Sequence, residues 1–162
     1  YTCIQMDNDY IVCERPGLQK FLDWAFKHFN VMIWSAASPD YVQFIVDHII
    51  IGKHKNRKIT HIFNSEKCDE SQSKYNGDTK NLNLIWDTYD YTPFGPFNTL
   101  IVDDMKHVID SQPSNSILIA KFFANRKHVN DTELNNVKNK LEKIAEKFEK
   151  TNPKDINYKV VG

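Results

Sequence analysis

The stretch Asn-Thr-Leu-Ile-Val-Asp-Asp at residues 98–104 is a short apolar run that ends in two adjacent carboxylates. The run is too short for a helix, and proline and glycine precede it, so it predicts a strand buried on both faces of a parallel sheet. Ligands of such sheets bind beyond the carboxyl ends of the strands. Asp103 and Asp104 therefore either form a site that a cation balances or lie in a solvated turn.

The overall composition is that of one ordinary globular domain. The 162 residues are 41% hydrophobic and 26% charged, and 21 lysines and arginines balance 21 aspartates and glutamates. Without net charge, the chain lacks the overall field of a nucleic-acid or membrane-surface binder, so an anionic substrate must be attracted locally. No run reaches the roughly 18 apolar residues of a membrane span, and no signal peptide opens the chain, so we expect a nuclear or cytoplasmic protein.

The three cysteines, Cys3, Cys13 and Cys68, are odd in number and lack the spacing of metal ligands. Odd cysteines without such spacing are typical of proteins that are not built on a disulfide framework. They predict free thiols in a reducing compartment.

The first residues of the chain favour strands. Residues 1–6 and 10–14 flank Asp7-Asn8-Asp9 and predict two strands joined by a polar turn. Asp7 and Asp9 could instead form a catalytic carboxylate pair. The turn is favoured, because Asp and Asn tolerate turn geometry.

Helix and strand signals alternate in the next part of the chain. Helical spacing of apolar residues at 18–29 predicts a scaffold helix, and the sequence VMIW at 31–34 predicts a second buried strand. Ser35 follows that strand, and Ser38-Pro39 places an N-cap before a proline at the first helical position. Such a helix start leaves backbone N–H groups free for an anion, with the Ser35 hydroxyl as a further donor. In the alternative interpretation, Ser35 only satisfies the end of the strand.

Two polar stretches come next. The basic run at residues 53–58 predicts a solvated loop, with docking of an acidic or phosphorylated partner as the alternative. Its lack of interleaved aromatic residues argues against nucleic acid as a direct ligand. Residues 64–79 predict an excursion of loops or small strands. Lys80 then heads a short helix, which is a poor position for a cation, so it either lies on the surface or has an anionic neighbour.

The C-terminal part predicts a helical turn at 105–110, a short strand at 117–120 and a long final helix. Asn130 lies three residues before Glu133, which is the spacing of a capping box. An apolar stripe on the final helix should pack on the sheet, and residues 151–162 should form a loose tail. The stripe consists of Leu134, Val137, Leu141, Ile144 and Phe148.

This alternation predicts an α/β fold for residues 1–150, a single domain with three layers and a central parallel sheet. In order, its motifs resemble the phosphatases that act on the C-terminal domain of RNA polymerase II, a family of the haloacid dehalogenase superfamily. The resemblance covers roughly residues 10–148. It is carried by YIVCERPGL at 10–18, VMIWSA at 31–36, Lys80 before LNLIWD, LIVDD at 100–104 and NDTEL at 130–134.

The resemblance implies roles for four residues. A strand-end serine or threonine binds the phosphoryl group in that family, which corresponds to Ser35, and a lysine corresponds to Lys80. The aspartate pair implies Asp104 as a direct Mg²⁺ ligand and Asp103 as the partner of Lys80 close to the metal. The implied set is therefore Lys80 and Asp103 for catalysis, Ser35 and Lys80 for phosphate, and Asp103 and Asp104 for the metal.

The chain departs from the family at its first motif. That motif is an apolar strand ending in Asp-x-Asp-x-Thr or Val, whose first aspartate is the nucleophile and whose second is the general acid and base. Asp7-Asn8-Asp9 does not match, because Ile11 replaces Thr or Val and residues 15–17 follow too closely. We therefore expect the first strand and the nucleophile upstream of Tyr1, or else a degenerate site. A second departure is Met105-Lys106, where the family often has Ser-Pro.

The leading hypothesis is a Mg²⁺-dependent phosphoserine/phosphothreonine phosphatase that acts on a phosphorylated protein, without a membrane partner. One alternative is a catalytically silent protein-binding module on the same fold. Another is a phosphatase for a small molecule or a nucleic-acid end. The excursion at 64–79 is too small to close over a metabolite, which favours a macromolecular substrate.

Overall fold

The computed structural model describes residues 2–7, 10–52, 54–88, 94–125 and 130–151. It shows a mixed α/β fold in which parallel strands are covered by helices, and this confirms the predicted fold class. In chain order the elements are β1 (Cys3–Gln5), β2 (Ile11–Cys13), α1 (Leu18–His28), β3 (Val31–Trp34), α2 (Pro39–Ile45) with a π-helical continuation (Val46–Ile51), β4 (Ile59–Phe63), α3 (Ser65–Lys74), a short π-helical segment (Leu84–Thr88), β5 (Ile101–Asp103), α4 (Lys106–Ser111), a 3-10 turn (Pro113–Asn115), β6 (Ser116–Leu118) and α5 (Glu133–Thr151).

The predicted N-terminal hairpin is present. Strands β1 and β2 pair antiparallel, and the Asp7 carboxylate accepts a hydrogen bond of 3.0 Å from the backbone N–H of Tyr10. Asp7 therefore closes the turn, as an aspartate at such a position commonly does. Asn8 and Asp9, which belong to the same predicted turn, lie outside the described residues.

The prediction of three free thiols is wrong for two of the cysteines. Cys3 and Cys13 are direct partners in the register of the hairpin, and they form a disulfide. Cys68 is free and buried. The prediction of free thiols rested on the odd number of cysteines. That number does not show that the hairpin places Cys3 directly opposite Cys13, where a disulfide can form.

Four strands form two parallel pairs. Strand β3 pairs with β4, and β5 pairs with β6. Short helical connections separate the partners of each pair, as parallel pairing requires. Within the described ranges no strand joins β3 to β5, so the expected central sheet is divided into two halves.

Helices cover the strands on both faces. On one face, α1 and α5 contribute Ala25, Val137 and Leu141 to a cluster that also holds residues of β3 and β6. On the other face, Leu82 and Val108 belong to a second cluster with residues of β4 and β5. The strands therefore lie between two layers, which is the predicted arrangement.

The polar excursion predicted at residues 64–79 is wrong for most of its length, because residues 65–74 form α3. Asn64 caps this helix by accepting a 3.0 Å hydrogen bond from the Glu66 N–H. Ion pairs of Glu70 with Lys67 and Lys74 support its surface. An apolar stripe is nearly absent, since only Cys68 and Ser71 are buried, so the usual helix signal was missing.

The basic run at residues 53–58 is more than a solvated loop. Arg57 is 3% exposed and donates to Asp23, to Gln19 and to the carbonyl oxygen of Ile50. The hydrogen bond from Arg57 holds the pKa of the Asp23 carboxyl below its usual range. Lys53 lies outside the described residues. The solvated-loop prediction is therefore wrong for Arg57, which fastens the loop to α1.

The capping box predicted from Asn130 is also wrong. Helix α5 begins at Glu133, and its first N–H donates to the Asp131 carboxylate at 3.1 Å, so Glu133 is not at the third helical position. The predicted stripe is confirmed for Leu134, Val137 and Leu141, whereas Ile144 is 37% exposed. Of the predicted tail, residues 152–162 lie outside the described part.

None of the helices in the described ranges is both long enough and apolar enough to cross a bilayer.

Candidate functional site

The site residues proposed from the sequence follow the carboxyl ends of two strands. Ser35 follows β3 directly, and Asp103 is the last residue of β5. Lys80 comes from the turn before the segment Leu84–Thr88 rather than from the start of a regular helix. Strand ends in parallel sheets are where ligands bind, so this edge is the candidate site.

Lys80 and Asp103 form a buried ion pair. Lys80 Nζ donates to Asp103 Oδ2 at 2.6 Å, and the two side chains are 12% and 6% exposed. The other carboxylate oxygen of Asp103 accepts a 2.8 Å hydrogen bond from the Met105 N–H. The sequence-based expectation of an anionic neighbour for Lys80 is therefore met, and the pair leaves neither charge unbalanced in a poorly solvated place.

Ser35 is held at the end of β3 by its backbone. Its N–H donates to the Phe63 carbonyl oxygen at 2.9 Å, and its Oγ accepts a 3.1 Å hydrogen bond from the Ala37 N–H. The hydrogen bond between Ser35 Oγ and the Ala37 N–H is a local interaction at the strand end, as expected if Ser35 only satisfies the end of β3. The hydroxyl hydrogen remains available as a donor, because accepting one bond does not use it.

Cys68 of α3 contacts the end of β3. Its thiol lies 3.6 Å from the Ser35 carbonyl oxygen. Burial raises the pKa of this thiol, the Trp34 side chain and the Lys80 ammonium lower it, and the Asp69 and Asp103 carboxylates raise it slightly. One side chain from α3 therefore contacts Ser35 and also lies in the electrostatic range of the ion pair.

Gln112 is a site residue that sequence reasoning missed. Its side-chain amide donates to the Lys80 carbonyl oxygen at 2.7 Å and accepts from the Leu82 N–H at 3.0 Å. It thereby holds the turn that carries Lys80 against the end of α4. The sequence around Gln112 does not indicate this role, because the residues that it contacts are about 30 positions away in the chain.

The described residues around Asp103 and Asp104 do not form a metal site by themselves. Asp104 is exposed directly after β5, whereas Asp103 is already bound to Lys80 and to the Met105 N–H. Among the described residues no group of three or more acidic, histidine or cysteine side chains is close enough to hold a metal ion. Because Mg²⁺ needs about six oxygen ligands, these residues do not form a complete site by themselves.

Comparisons with known proteins agree with the motifs. The family model described as "NLI interacting factor-like phosphatase" matches residues 2–152. A CTD phosphatase-like protein of Invertebrate iridescent virus 6 is 38% identical over 120 residues, which are 73% of this chain and 66% of the viral protein. A CTD phosphatase-like protein of Invertebrate iridescent virus 3 is 33% identical over 147 residues, or 88% of this chain and 78% of the relative.

A cellular protein is also similar. The ubiquitin-like domain-containing CTD phosphatase of Arabidopsis thaliana is 31% identical over 137 residues, which cover 82% of this chain but 39% of that protein. The similarity therefore spans less than half of the plant protein and about two thirds or more of the viral ones.

Proposed function

The chain belongs to the NLI interacting factor-like phosphatase family, and from that premise we propose that it is a Mg²⁺-dependent protein phosphoserine/phosphothreonine phosphatase domain that acts through a phosphoaspartate. Family membership supports a phosphatase domain, and the metal, the intermediate and the substrate are parts of the proposal. A nuclear or cytoplasmic location stays a prediction.

The observation that carries the proposal is the buried ion pair of Lys80 and Asp103 at the carboxyl end of β5. Burying such a pair is costly unless its geometry is good, so its presence at a ligand-binding edge favours a functional role. In this role Lys80 offsets the charge of a phosphoryl group, Asp103 keeps the Lys80 ammonium in place, and the Ser35 hydroxyl donates to a phosphoryl oxygen.

We propose neither Asp7 nor Asp103 as the nucleophile. Asp7 is used in the hairpin turn, and Asp103 is bound to Lys80. The attacking aspartate and the general acid and base are expected from an apolar strand upstream of Tyr1. The same strand would add the carboxylates that Asp104 lacks for a Mg²⁺ site, where the metal would neutralise charge on the transferring group.

The substrate that we propose is a phosphorylated protein. Helix α3 fills most of residues 64–79, the segment whose small size argues against closure over a metabolite. The site edge is therefore expected to accept a phosphorylated side chain on an extended peptide.

A catalytically silent protein-binding module is the second candidate. It is favoured by one observation, namely that the described residues contain no group of three or more acidic, histidine or cysteine side chains placed to hold a metal ion. On this hypothesis the ion pair has only a structural role. The two candidates differ in whether the natural upstream residues contain the Asp-x-Asp motif.

The test compares two proteins, residues 1–162 alone and the same chain with its natural upstream residues. The short form should not turn over phosphoserine peptides, because no positioned group replaces a covalent nucleophile. The extended form should show Mg²⁺-dependent phosphate release that is lost when the first aspartate of the motif becomes asparagine. Turnover by the short form, or activity that survives the asparagine substitution, would show that the nucleophile is misassigned. An upstream segment without the motif would favour the silent module.

A further inference from the structure

Lys80 lies in a turn that belongs to neither a helix nor a strand. The turn comprises residues 78–82, between α3 and the segment Leu84–Thr88, and we call it the Lys80 turn. Backbone groups in such a segment lack the repeating hydrogen bonds of a helix or a sheet, so other groups must satisfy them. The position of the Lys80 ammonium therefore depends on the side chains that hold this turn.

Ser71 of α3 holds the Lys80 turn on both sides of Lys80. Its hydroxyl donates to the Asp78 carbonyl oxygen at 2.5 Å and accepts a 3.0 Å hydrogen bond from the Asn81 N–H. A serine hydroxyl can donate one hydrogen and still accept, so a single atom serves two backbone groups. Ser71 is 0% exposed, and a buried hydroxyl is costly unless it is hydrogen-bonded. Both bonds are therefore needed by Ser71 as well as by the turn.

Gln112 holds two further backbone groups of the same turn. As described above, its side-chain amide donates to the Lys80 carbonyl oxygen and accepts from the Leu82 N–H. The groups bound by Gln112 alternate along the chain with those bound by Ser71. The Lys80 turn is therefore fastened to α3 by one side chain and to the end of α4 by another.

Helix α4 connects the two groups that contact Lys80. Asp103, which accepts from the Lys80 ammonium, accepts from the Met105 N–H just before α4 begins. Gln112, which accepts nothing from the ammonium but donates to the Lys80 carbonyl oxygen, follows the last residue of α4. The side chain and the backbone of Lys80 are thus bound to opposite ends of one helix. This closed ring restricts a side chain that is otherwise long and flexible.

We propose that Ser71 and Gln112 are positioning residues, which fix the Lys80 turn so that the Lys80 ammonium is in place before an anionic group binds. The inference rests on the proposed function, because a phosphoryl group is the anion for which Lys80 is positioned. A charge that is already in place stabilises a transition state without reorganisation. A misplacement of about 1 Å, even one caused far from the chemistry, can cost about a hundredfold in rate. Both residues act through Lys80.

The first test measures the mobility of the Lys80 ammonium in residues 1–162 by NMR relaxation. Gln112→Met keeps an unbranched side chain but removes both hydrogen bonds to the turn. The order parameter of the Lys80 ammonium should fall by about half, and amide exchange at Leu82 should become about tenfold faster. Exchange at the Met105 N–H should not change, because its bond to Asp103 is retained. A purely structural role of Gln112 would lower the stability and leave the order parameter unchanged.

Matched variants control for the loss of any one hydrogen bond. Ser71→Ala should lower the order parameter of the Lys80 ammonium as Gln112→Met does. Gln43 and Ser111 each make a hydrogen bond to a residue four or three positions away, and neither contacts the Lys80 turn through that bond. Gln43→Met and Ser111→Ala should therefore leave the Lys80 ammonium as it is in the parent.

The second test uses inorganic phosphate as the probe. Phosphate added to residues 1–162 should shift the signal of the Lys80 ammonium. Its dissociation constant should rise about tenfold or more in Gln112→Met and stay constant in Gln43→Met. An equal affinity in Gln112→Met would overturn the proposal. If the parent binds no phosphate although Gln112→Met frees the ammonium, the positioning stands and the phosphoryl role of Lys80 in the proposed function is wrong.

An unchanged order parameter in both Gln112→Met and Ser71→Ala would overturn the proposal, whether or not phosphate binds. Circular dichroism checks that the variants are folded. If both are unfolded, amide exchange in the parent decides. The N–H groups of Asn81 and Leu82 should then be as protected as that of Met105, and free exchange at both would overturn the proposal.

Discussion

The Lys80–Asp103 ion pair combines a role in folding with a proposed role in chemistry. Both side chains are nearly buried, so either charge alone would be poorly solvated. A loss of activity on substitution of Lys80 would therefore be ambiguous, since loss of the fold would have the same effect. Stability must be measured first.

Lys80→Met should destabilise the domain by about 3–5 kcal/mol, because it leaves the Asp103 carboxylate buried without its cation. The measurement is urea unfolding followed by tryptophan fluorescence. Lys106→Met is the matched control, since Lys106 pairs with Asp110 on the surface at 78% and 59% exposure, and it should cost at most about 1 kcal/mol.

A double variant separates charge from packing. Lys80→Met combined with Asp103→Leu removes both buried charges and should regain most of the lost stability. If the double variant is as unstable as Lys80→Met alone, the unpaired charge is not the cause.

Some of these residue contacts were predictable from sequence and others were not. Lys80 and Asp103 could be proposed as partners from the sequence. A lysine expected at a helix N-terminus and a carboxylate at a buried strand end are each unfavourable unless an opposite charge lies nearby. Arg57 gave no such signal, because its partner Asp23 is 34 residues away and the surrounding lysines suggested a solvated loop. Local sequence shows that a charge exists, but the partner depends on the tertiary fold.

At the scale of elements, helix α3 and the hairpin show where the sequence signals were weak. Helix α3 is polar, and its evidence in the sequence was the Asn64 cap and charges spaced three and four residues apart. The hairpin was predicted, but its disulfide was not. The predicted turn at 7–9 already set Cys3 opposite Cys13, so the register contained the missing signal.

The hairpin should open independently of the domain when its disulfide is reduced. None of its strand residues belongs to the three apolar clusters, and an isolated two-stranded hairpin is marginally stable. Reduction should therefore abolish exchange protection at residues 3–5 and 11–13 and change the global free energy of unfolding by less than about 1 kcal/mol.

The double variant Cys3→Ser/Cys13→Ser should behave like the reduced protein without any reductant. Thiol titration of the unfolded parent should find only Cys68 before reduction and all three cysteines after it. A global loss of about 2–3 kcal/mol on reduction would show that the hairpin unfolds together with the core.

At the scale of the whole molecule, the division of the sheet is the feature that individual elements do not reveal. Each strand and each parallel pair was predictable from apolar runs and helical connections. A further strand was implied only by the resemblance to the family, and no cavity between the pairs was predicted. Local patterns describe single strands, whereas the division into two pairs among the described residues becomes visible only when both are placed side by side.

An apolar cavity of about 200 Å³, bordered by β3 and β5 and called the slot below, should make two equally buried leucines respond differently to truncation. Leu84 is 0% exposed and does not line the slot, whereas Leu141 of α5 is 2% exposed and lines it. Leu84→Ala should cost about 2–5 kcal/mol in the free energy of unfolding. Leu141→Ala should cost less, because a side chain that borders empty space has fewer contacts to lose.

The difference should depend on whether the slot is filled. If a strand upstream of Tyr1 exists, as the proposed function requires, the cost of Leu141→Ala in the extended chain should rise towards that of Leu84→Ala, while the cost of Leu84→Ala stays constant. Urea unfolding of the four variant proteins measures this, provided that the slopes show the same two-state transition. An unchanged cost for Leu141→Ala in the extended chain would mean that the upstream residues do not enter the slot, and that packing against α1 and α5 is enough to hold the two strand pairs together.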